Sequence, residues 1–305
     1  MRDRVWLGTA LWGWGIERDE GHALLDRFVD RGGRWIDAAT NYPINGRAAD
    51  FGAANRIAAE WLRANPDSGV RVFCKVGALD NSGAPRQNLD ESALAVTAEL
   101  LRGQFGEALG GIGLHWDDRD DPARIAETLD AMRNLAAEGL AIGLSGVRHP
   151  EIHARIAPDL AGLWWVQVKD NMATHAAYDH YAPHLPDVRY LAYGINMGGV
   201  KSAPVDGYES SLSLRGLSEP PVAEKLRATL RAGLTELAPF PQTLADLSLI
   251  RVAADRRLYG CILGPRTVAQ LDASLGCWRR AMAAHSDDLA HILAMLSDAA
   301  GAARP

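Results

Sequence analysis

The sequence predicts an α/β fold, a single (β/α)8 TIM barrel, from three observations. Eight short apolar runs alternate with amphipathic stretches that have helical periodicity. The alternation continues without a linker or a change in composition, as in one parallel sheet closed into a barrel. The fingerprints GxGxxG and GxxxxGK, which doubly wound sheets normally carry, occur nowhere in the chain. A doubly wound sheet is therefore the second choice, and residues 1–305 are expected to form one barrel domain.

The strands are predicted from runs of four to seven mostly apolar residues. They lie at residues 5–8, 35–38, 70–76, 112–115, 141–145, 163–168, 188–193 and 258–263. Periodicity predicts helices at 23–29, 57–62, 94–101, 125–140, 222–230, 244–253 and 268–278. Gly32-Gly33 ends the first helix and Asp121-Pro122 begins the fourth, because glycine favours a helix C-terminus and proline the first turn. A last helix at residues 285–300 is expected outside the barrel.

Charge and hydropathy argue against several classes of partner. The 305 residues include 32 Lys and Arg and 38 Asp and Glu, for a formal net charge of −6, and no basic block stands out. Nucleic acid and anionic membrane surfaces are therefore not expected as partners. The apolar run after Met1 is too short for a signal peptide, and no stretch approaches the roughly 18 apolar residues of a membrane span. The sequence thus predicts a cytoplasmic protein.

The spacing of cysteine and histidine does not indicate a metal site. The 3 Cys are far apart and include no CxxC pair, which fits a reducing compartment and argues against bound zinc. His149 and His153 are four residues apart, but the glutamate of an HExxH motif is not in place. These two residues and the loosely spaced His175, His180 and His184 are expected at the solvated surface.

Polar side chains follow three consecutive predicted strands, at the end of a barrel where active sites form. Asp37 and Tyr42 follow the second strand. Lys75 ends the third strand and His115 the fourth. A buried lysine needs a carboxylate partner, and its cation is expected to lower the pKa of a nearby phenol. Since a histidine can also donate to a carbonyl oxygen, the set is suited to delivering a proton to a carbonyl group under reduction.

Eight segments carry a more specific pattern, in which the order D-x4-Y…K…H is followed near the end by GxR-x3-Q. The segments are LGTALWGWG at 7–15, GGRWIDAATNY at 32–42, CKVG at 74–77, LHWD at 114–117, IGLS at 142–145, VQV at 166–168, AY at 192–193 and LGPRTVAQL at 263–271. In this order they resemble the aldo-keto reductase superfamily. The resemblance covers nearly the whole chain, from about residue 5 to residue 275.

The resemblance implies a catalytic tetrad and a reaction. Tyr42 is implied to be the general acid, tuned by Lys75 and Asp37, while His115 orients the carbonyl group. The substrate is then a small aldehyde or ketone. Polar loop residues make a sugar-like substrate conceivable. NADPH is implied to lie across the barrel mouth as the hydride donor, with NADH less favoured.

The resemblance also implies which residues contact the cofactor. Ser145 and Gln167 are implied to hold the carboxamide, and Tyr193 to stack on the nicotinamide ring. Arg266 and Gln270 are implied to meet the adenosine end, where a fixed cation near the 2′-phosphate favours NADP over NAD. The other implied contacts are Gly8, Thr9, Gly264 and Ser274.

The sequence departs from the family pattern at a few places. Gly146 and Ser274 stand where the family usually has Asn, so one carboxamide contact and one adenine contact are in doubt. The N-terminal hairpin that closes the barrel bottom in relatives is expected to be truncated. Trp12, Trp14 and Trp116 are candidates for the wall of a substrate pocket.

Three other functions are compatible with the same residues. The enzyme can work in the oxidative direction as a sugar or alcohol dehydrogenase. A second alternative is a nicotinamide-binding regulatory subunit with little turnover. The third is a barrel isomerase or aldolase in which Lys75 forms a Schiff base.

Overall fold

The computed structural model describes residues 3–83, 86–203, 209–237 and 241–300. Its eight parallel strands pair in sequence order, and β1 pairs with β8 to close a barrel. The strands are β1 Val5–Gly8, β2 Trp35–Ala39, β3 Arg71–Val76, β4 Leu109–His115, β5 Ala141–Ser145, β6 Trp164–Lys169, β7 Arg189–Tyr193 and β8 Gly260–Leu263. Each strand overlaps its predicted run, so the predicted (β/α)8 barrel is confirmed.

Ten α-helices accompany these strands in the described chain. They are α1 Arg18–Asp30, α2 Ala53–Ala64, α3 Glu91–Phe105, α4 Pro122–Ala137, α5 Pro150–Ile156, α6 Ala176–Tyr181, α7 Val222–Leu237, α8 Leu244–Ala254, α9 Val268–Ala283 and α10 Ser286–Ala300. The Asp121 carboxylate accepts hydrogen bonds from the first backbone N–H groups of α4. Gly32 follows α1 with a φ of +82°. Both helix ends are where the sequence predicts them.

The last helix lies outside the barrel, as predicted, where α10 packs on α7 and α8. At the other end of the chain, residues 3 and 4 form a turn that leads directly into β1. In the described part of the protein, no helix combines the length and the apolarity that crossing a lipid bilayer requires.

Apolar side chains form two layers on opposite sides of the sheet, because successive side chains of a strand alternate between its faces. The larger layer lies between the strands and the surrounding helices. The smaller layer fills the lower part of the barrel with Trp6, Phe73, Trp165, Leu191 and Ile262. The ring of Trp6 stacks on that of Trp35, with centroids 5.1 Å apart and an interplanar angle of 13°.

Glycines on β4 and β5 make room for this aromatic filling. A Cβ added at Gly111, Gly113 or Gly143 would lie only 2.6–2.7 Å from a ring carbon of Phe73. Real Cβ atoms do not approach so closely, so these positions cannot carry a side chain without displacing the ring. The aromatic layer supports the polar residues that lie above it at the carboxyl ends of the strands.

Candidate active site

A buried ion pair joins β2 and β3 at the mouth of the barrel. The Lys75 Nζ donates to Oδ1 of Asp37 at 2.5 Å, and both side chains are almost fully buried. From the far side of the barrel, Nε2 of Gln167 donates to the same oxygen at 2.6 Å. Buried charges are stable only when they are paired and hydrogen-bonded in this way. The carboxylate therefore holds the lysine in its charged form.

Tyr42 lies against this pair, in the loop that follows β2. The Lys75 Nζ is 4.9 Å from the centroid of the phenol ring, close enough for its charge to act on the hydroxyl group. Burial raises the pKa of Tyr42 to about 12, although the Lys75 charge acts to lower it. The Lys75 charge thus acts on the Tyr42 pKa in the expected direction. The pKa is nevertheless raised overall, because desolvation of the phenolate is the larger effect.

His115, at the end of β4, is the third polar group beside Tyr42. Its ring meets the Tyr42 ring edge to face, with centroids 6.1 Å apart and an angle of 85°. Burial, followed by the nearby Lys75 charge, holds the pKa of His115 well below 6.5. The imidazole is therefore neutral at pH 7 and has one N–H to donate. Its Nδ1 is buried and has no hydrogen-bond partner among the described residues.

The three tryptophans predicted for the pocket lie in different environments. Trp116 is half-buried and stacks on His115, with centroids 4.2 Å apart and an angle of 25°. Trp12 is fully buried and packs against Gly21 of α1 in the layer between barrel and helices. Trp14 is half-buried in the loop after β1. Only Trp116 contacts a member of the predicted tetrad through a described ring contact.

Ser145, Gln167 and Tyr193 end or nearly end three neighbouring strands. Ser145 pairs in register with His115 on one side and with Gln167 on the other. Ser145 and Gln167 therefore lie at the same level of the barrel as the tetrad residue His115. Tyr193 ends β7 and is partly buried. The negative charge of its ionised form would raise the pKa of Tyr42. These residues surround the mouth on the side away from β1.

The two residues predicted at the end of β1 serve the backbone of β2. Both the backbone N–H and the hydroxyl of Thr9 donate to the carbonyl oxygen of Asp37, at 3.0 and 2.9 Å. Gly8 pairs in register with Asp37. A Cβ added at Gly8 would lie 3.0 Å from Ile262 and 3.2 Å from a backbone oxygen of Leu263. This part of the mouth is therefore narrow and fixes the position of the Asp37 backbone.

Arg266 lies between β8 and α9 and connects three segments of the chain. Its Nη2 donates to the carbonyl oxygen of Gly15 at 3.3 Å, and its Nη1 donates to that of Glu209. Its backbone N–H donates to Oε1 of Gln270 at 2.9 Å. Gly264 is exposed before it, and Ser274 is half-buried one helical turn beyond Gln270. Gly264, Arg266 and Gln270 thus lie at one edge of the mouth, and Ser274 lies further along α9.

Lys201 is a second cation at this edge, which the sequence does not identify because no motif surrounds it. Burial and the charge of Arg266 lower the pKa of the Lys201 amine. The two cations therefore lie close enough at this edge for the charge of Arg266 to disfavour protonation of Lys201. Arg266 stands directly before Thr267, the N-cap of α9, so it lies at the positive end of that helix.

A buried charged cluster in the segment that follows β4 is also missing from the predictions. Asp117 is fully buried and accepts two hydrogen bonds from the Arg119 guanidinium, both at 2.8 Å. Nε2 of His153 lies 3.2 Å from the same carboxylate, and its Nδ1 lies 3.0 Å from the carbonyl oxygen of His149. The prediction that His153 is solvated is wrong, because its side chain is completely buried against Asp117.

The Asp117 carboxylate adjoins the tetrad in the sequence, since it belongs to the same LHWD segment as His115. Burial acts to raise the pKa of Asp117, but Arg119 and His153 together lower it by more than burial raises it, so the carboxyl stays ionised.

Of the other histidines, His180 and His184 are exposed as predicted. In the described residues no three His, Cys, Asp or Glu side chains gather as metal ligands.

Comparisons with known proteins identify the family. The model of the aldo/keto reductase family matches residues 4–292, whereas a search of curated proteins finds no match. The solved structure of the glycerol dehydrogenase AKR11B4 from Gluconobacter oxydans is 19% identical, covers 99% of this chain and 94% of its own, and has a TM-score of 0.74. At this identity the likeness concerns the fold alone. Because the family model spans almost the whole sequence, the chain belongs to the aldo/keto reductase family of NAD(P)H-dependent oxidoreductases.

Proposed function

We propose that this protein reduces an aldehyde or ketone to an alcohol, with NADPH as the preferred hydride donor and Tyr42 as the proton donor. The observation that carries the proposal is the buried Lys75, whose amine donates to the Asp37 carboxylate and lies 4.9 Å from the centroid of the Tyr42 ring. When bound, the nicotinamide supplies a hydride to the carbonyl carbon. The oxygen then becomes an alkoxide that needs a proton at a fixed position.

The tetrad supplies that proton and stabilises its loss. Tyr42 gives its hydroxyl proton to the carbonyl oxygen, and the Lys75 cation stabilises the phenolate that remains. Asp37 keeps Lys75 charged, because burial alone would lower the amine pKa whereas Asp37 and Tyr42 raise it above the usual value. Neutral His115 can donate its N–H to the same carbonyl oxygen and so hold the carbonyl in line.

The residues at the mouth fit a dinucleotide phosphate. Arg266 and Lys201 form a positive edge that suits phosphate groups, and the second cation supports a preference for NADPH. Tyr193 offers an aromatic ring at the end of β7. Ser145 and Gln167 offer hydrogen-bonding groups to a carboxamide, and the Gln167 amide already bridges this region to Asp37.

The pKa of Tyr42 supports reduction over oxidation at neutral pH. Oxidation of an alcohol, the second candidate direction, needs Tyr42 as a base in its phenolate form. With a pKa of about 12, the residue is protonated across the physiological range and is ready to act as an acid. We therefore expect the oxidation rate to keep rising with pH above 9, while the reduction rate does not depend on phenolate formation.

The charge state of Lys75 argues against Schiff-base chemistry. An amine nucleophile must lose its proton, which in enzymes is favoured by a lowered pKa. Here the pKa of Lys75 is raised, since the effects of Asp37 and Tyr42 exceed that of burial. A regulatory subunit with little turnover would also have no use for Tyr42 beside this cation.

A titration with NADPH and with NADH, followed by quenching of tryptophan fluorescence, tests the cofactor proposal. We expect NADPH to bind at least about tenfold more tightly, and Arg266→Ala to weaken NADPH about 10- to 100-fold with a much smaller effect on NADH. Arg34→Ala is the matched control, because Arg34 also donates to backbone carbonyl oxygens but lies at the opposite end of the barrel.

The two possible failures of this experiment have different meanings. Equal weakening of NADPH and NADH by Arg266→Ala would contradict the assignment of Arg266 to the 2′-phosphate. Failure of the wild-type protein to bind either nucleotide would overturn the proposed hydride transfer. If NADPH binds, a panel of aldehydes, ketones and hydroxylated carbonyl compounds assayed at 340 nm identifies the substrate class.

A further inference from the structure

Trp116 has a backbone conformation that is unfavourable for a large aromatic residue. Its φ is +58°, in the left-handed region that residues with a Cβ rarely adopt. The conformation is held by two hydrogen bonds between neighbouring turns. The Trp116 N–H donates to the Ser145 carbonyl at 2.8 Å, and the Arg148 N–H donates to the Asp117 carbonyl at 2.7 Å. The turn after β4 is thereby tied to the turn after β5.

Gly146 lies directly beneath the Trp116 ring. A Cβ added at Gly146 would collide with Cδ1 of the indole and would lie 2.9 Å from its Nε1. The φ of Gly146 is +70°, which also favours glycine. The space that a side chain at position 146 would need is therefore filled by the indole of Trp116.

The indole in turn determines the surroundings of His115. The imidazole lies between the Trp116 ring, stacked at 4.2 Å, and the edge of the Tyr42 ring. Its Nδ1 has no hydrogen-bond partner in the described chain. Packing between these two rings, rather than a hydrogen bond at Nδ1, thus fixes the orientation of the imidazole.

We propose that Gly146 and Trp116 act as one interdependent pair that positions His115 for the reaction. The empty side-chain position at 146 admits the indole, the strained turn aims it, and the stacked ring holds the imidazole against Tyr42. Trp116 is a positioning residue in this role, and Gly146 is what allows the role. The part of the proposal that concerns turnover rests on the proposed carbonyl reduction.

A double-mutant cycle tests whether the two residues are one unit. We expect Gly146→Ala to lower kcat about thirtyfold and Trp116→Ala about tenfold, because both misplace His115. The double variant should also lose only about tenfold, since without the indole the added methyl group has nothing to collide with. The KM for NADPH should stay within about threefold in Trp116→Ala, because the effect is on orientation of the carbonyl.

Two further variants separate this mechanism from a general structural effect. Gly139→Ala carries the same kind of backbone cost, with a φ of +90°, but nothing lies within 4 Å of its added Cβ. It should leave kcat within about twofold of wild type. Trp116→Phe retains a ring to stack on His115 and should keep at least about a third of the activity.

The titration of the His115 imidazole gives a readout that does not need turnover. Followed by NMR and assigned with His115→Gln, its pKa should rise toward 6.5 in Trp116→Ala and stay low in Trp116→Phe. The titratable groups that face the ring, which are Lys75 on β3 and Tyr42 in the loop after β2, are unchanged in both variants.

The outcomes distinguish this inference from the proposed function. Fully additive losses in the cycle, or an unchanged His115 titration in Trp116→Ala, would overturn the pairing of Gly146 with Trp116. If the wild-type protein reduces no carbonyl compound, the proposed function fails. The pairing is then decided by the NMR titration and by coupling of the same substitutions in the free energy of unfolding, where coupling supports it and additivity refutes it.

Discussion

The two ends of the barrel interior are both buried but differ in what they bury. The lower end holds the rings of Trp6, Phe73 and Trp165, which need only close packing. The upper end holds the Lys75–Asp37 ion pair and a His115 nitrogen that has no hydrogen-bond partner among the described residues. Inward-facing residues two positions apart on one strand, such as Phe73 and Lys75 on β3, belong to different ends. A step of about 7 Å along each strand thus separates the residues that pack from those that react.

Removing the Tyr42 hydroxyl is the largest test of this division. Tyr42→Phe should lower kcat for carbonyl reduction about 1,000-fold, because the proton donor is lost. Binding of NADPH and the melting temperature should be nearly unchanged. Tyr259→Phe, at the lower end where Tyr259 packs on Trp165, is the control and should keep full activity. Wild-type turnover in Tyr42→Phe would exclude Tyr42 as the general acid.

The opposite result is expected at the lower end. Phe73→Ala should reduce the free energy of unfolding by about 3–5 kcal/mol, because it leaves a cavity bounded by Trp6 and three glycines. In urea titrations the midpoint should fall accordingly. The kcat of the remaining folded enzyme should stay within about threefold of wild type. A large loss of kcat under conditions where Phe73→Ala is fully folded would show that packing at the lower end also controls catalysis at the upper end.

Filling the same region should be costly as well. A methyl group added by Gly143→Ala would lie 2.6 Å from Cζ of Phe73 and closer still to the backbone oxygen of Trp165, which cannot rotate away. We expect a loss of about 2–3 kcal/mol in the free energy of unfolding. Gly103→Ala on α3, where nothing lies within 4 Å of the added Cβ, is the matched control. A neutral Gly143→Ala would show that the aromatic layer can shift.

The smallest expected effect concerns the acid sensitivity of the upper end. The pKa of His115 is lower in the folded protein than its ordinary 6.5, so the unfolded chain binds more protons in acid. The stability contributed by neutral His115 is therefore present above about pH 6.5 and is lost as the pH falls below it. Between pH 7 and 5 the wild type should lose about 1–2 kcal/mol more than His115→Gln. Parallel curves of melting temperature against pH would contradict this.

The sequence predicts the strands well, because runs such as 141–145 are apolar at nearly every position when both faces of a strand are covered. It does not predict α5 and α6 by periodicity. These helices have 7 and 6 residues, so an apolar stripe has at most two turns in which to repeat. Pro150 indicates the start of α5 but not its extent.

The residues of the candidate site are predicted better than their electrostatics. The sequence order places Asp37, Tyr42 and Lys75 at strand ends, and the closed barrel brings them together. The net pKa shift of Tyr42 depends on how completely the phenol is buried, which spacing does not reveal. The burial of His153 depends on a contact with Asp117, 36 residues away and across two turns. The position of the Trp116 ring depends similarly on the empty space at Gly146.

The close packing of three indoles at the lower end has a consequence for spectroscopy. Trp6, Trp35 and Trp165 have ring centroids 5.1–6.1 Å apart, close enough for excitation energy to pass from one ring to another before emission. Their emission should therefore be strongly depolarised, and polarisation should return on excitation at the red edge of the absorption band. Light emitted at the lower end of the barrel can thus be told apart from light emitted by Trp116 at the mouth.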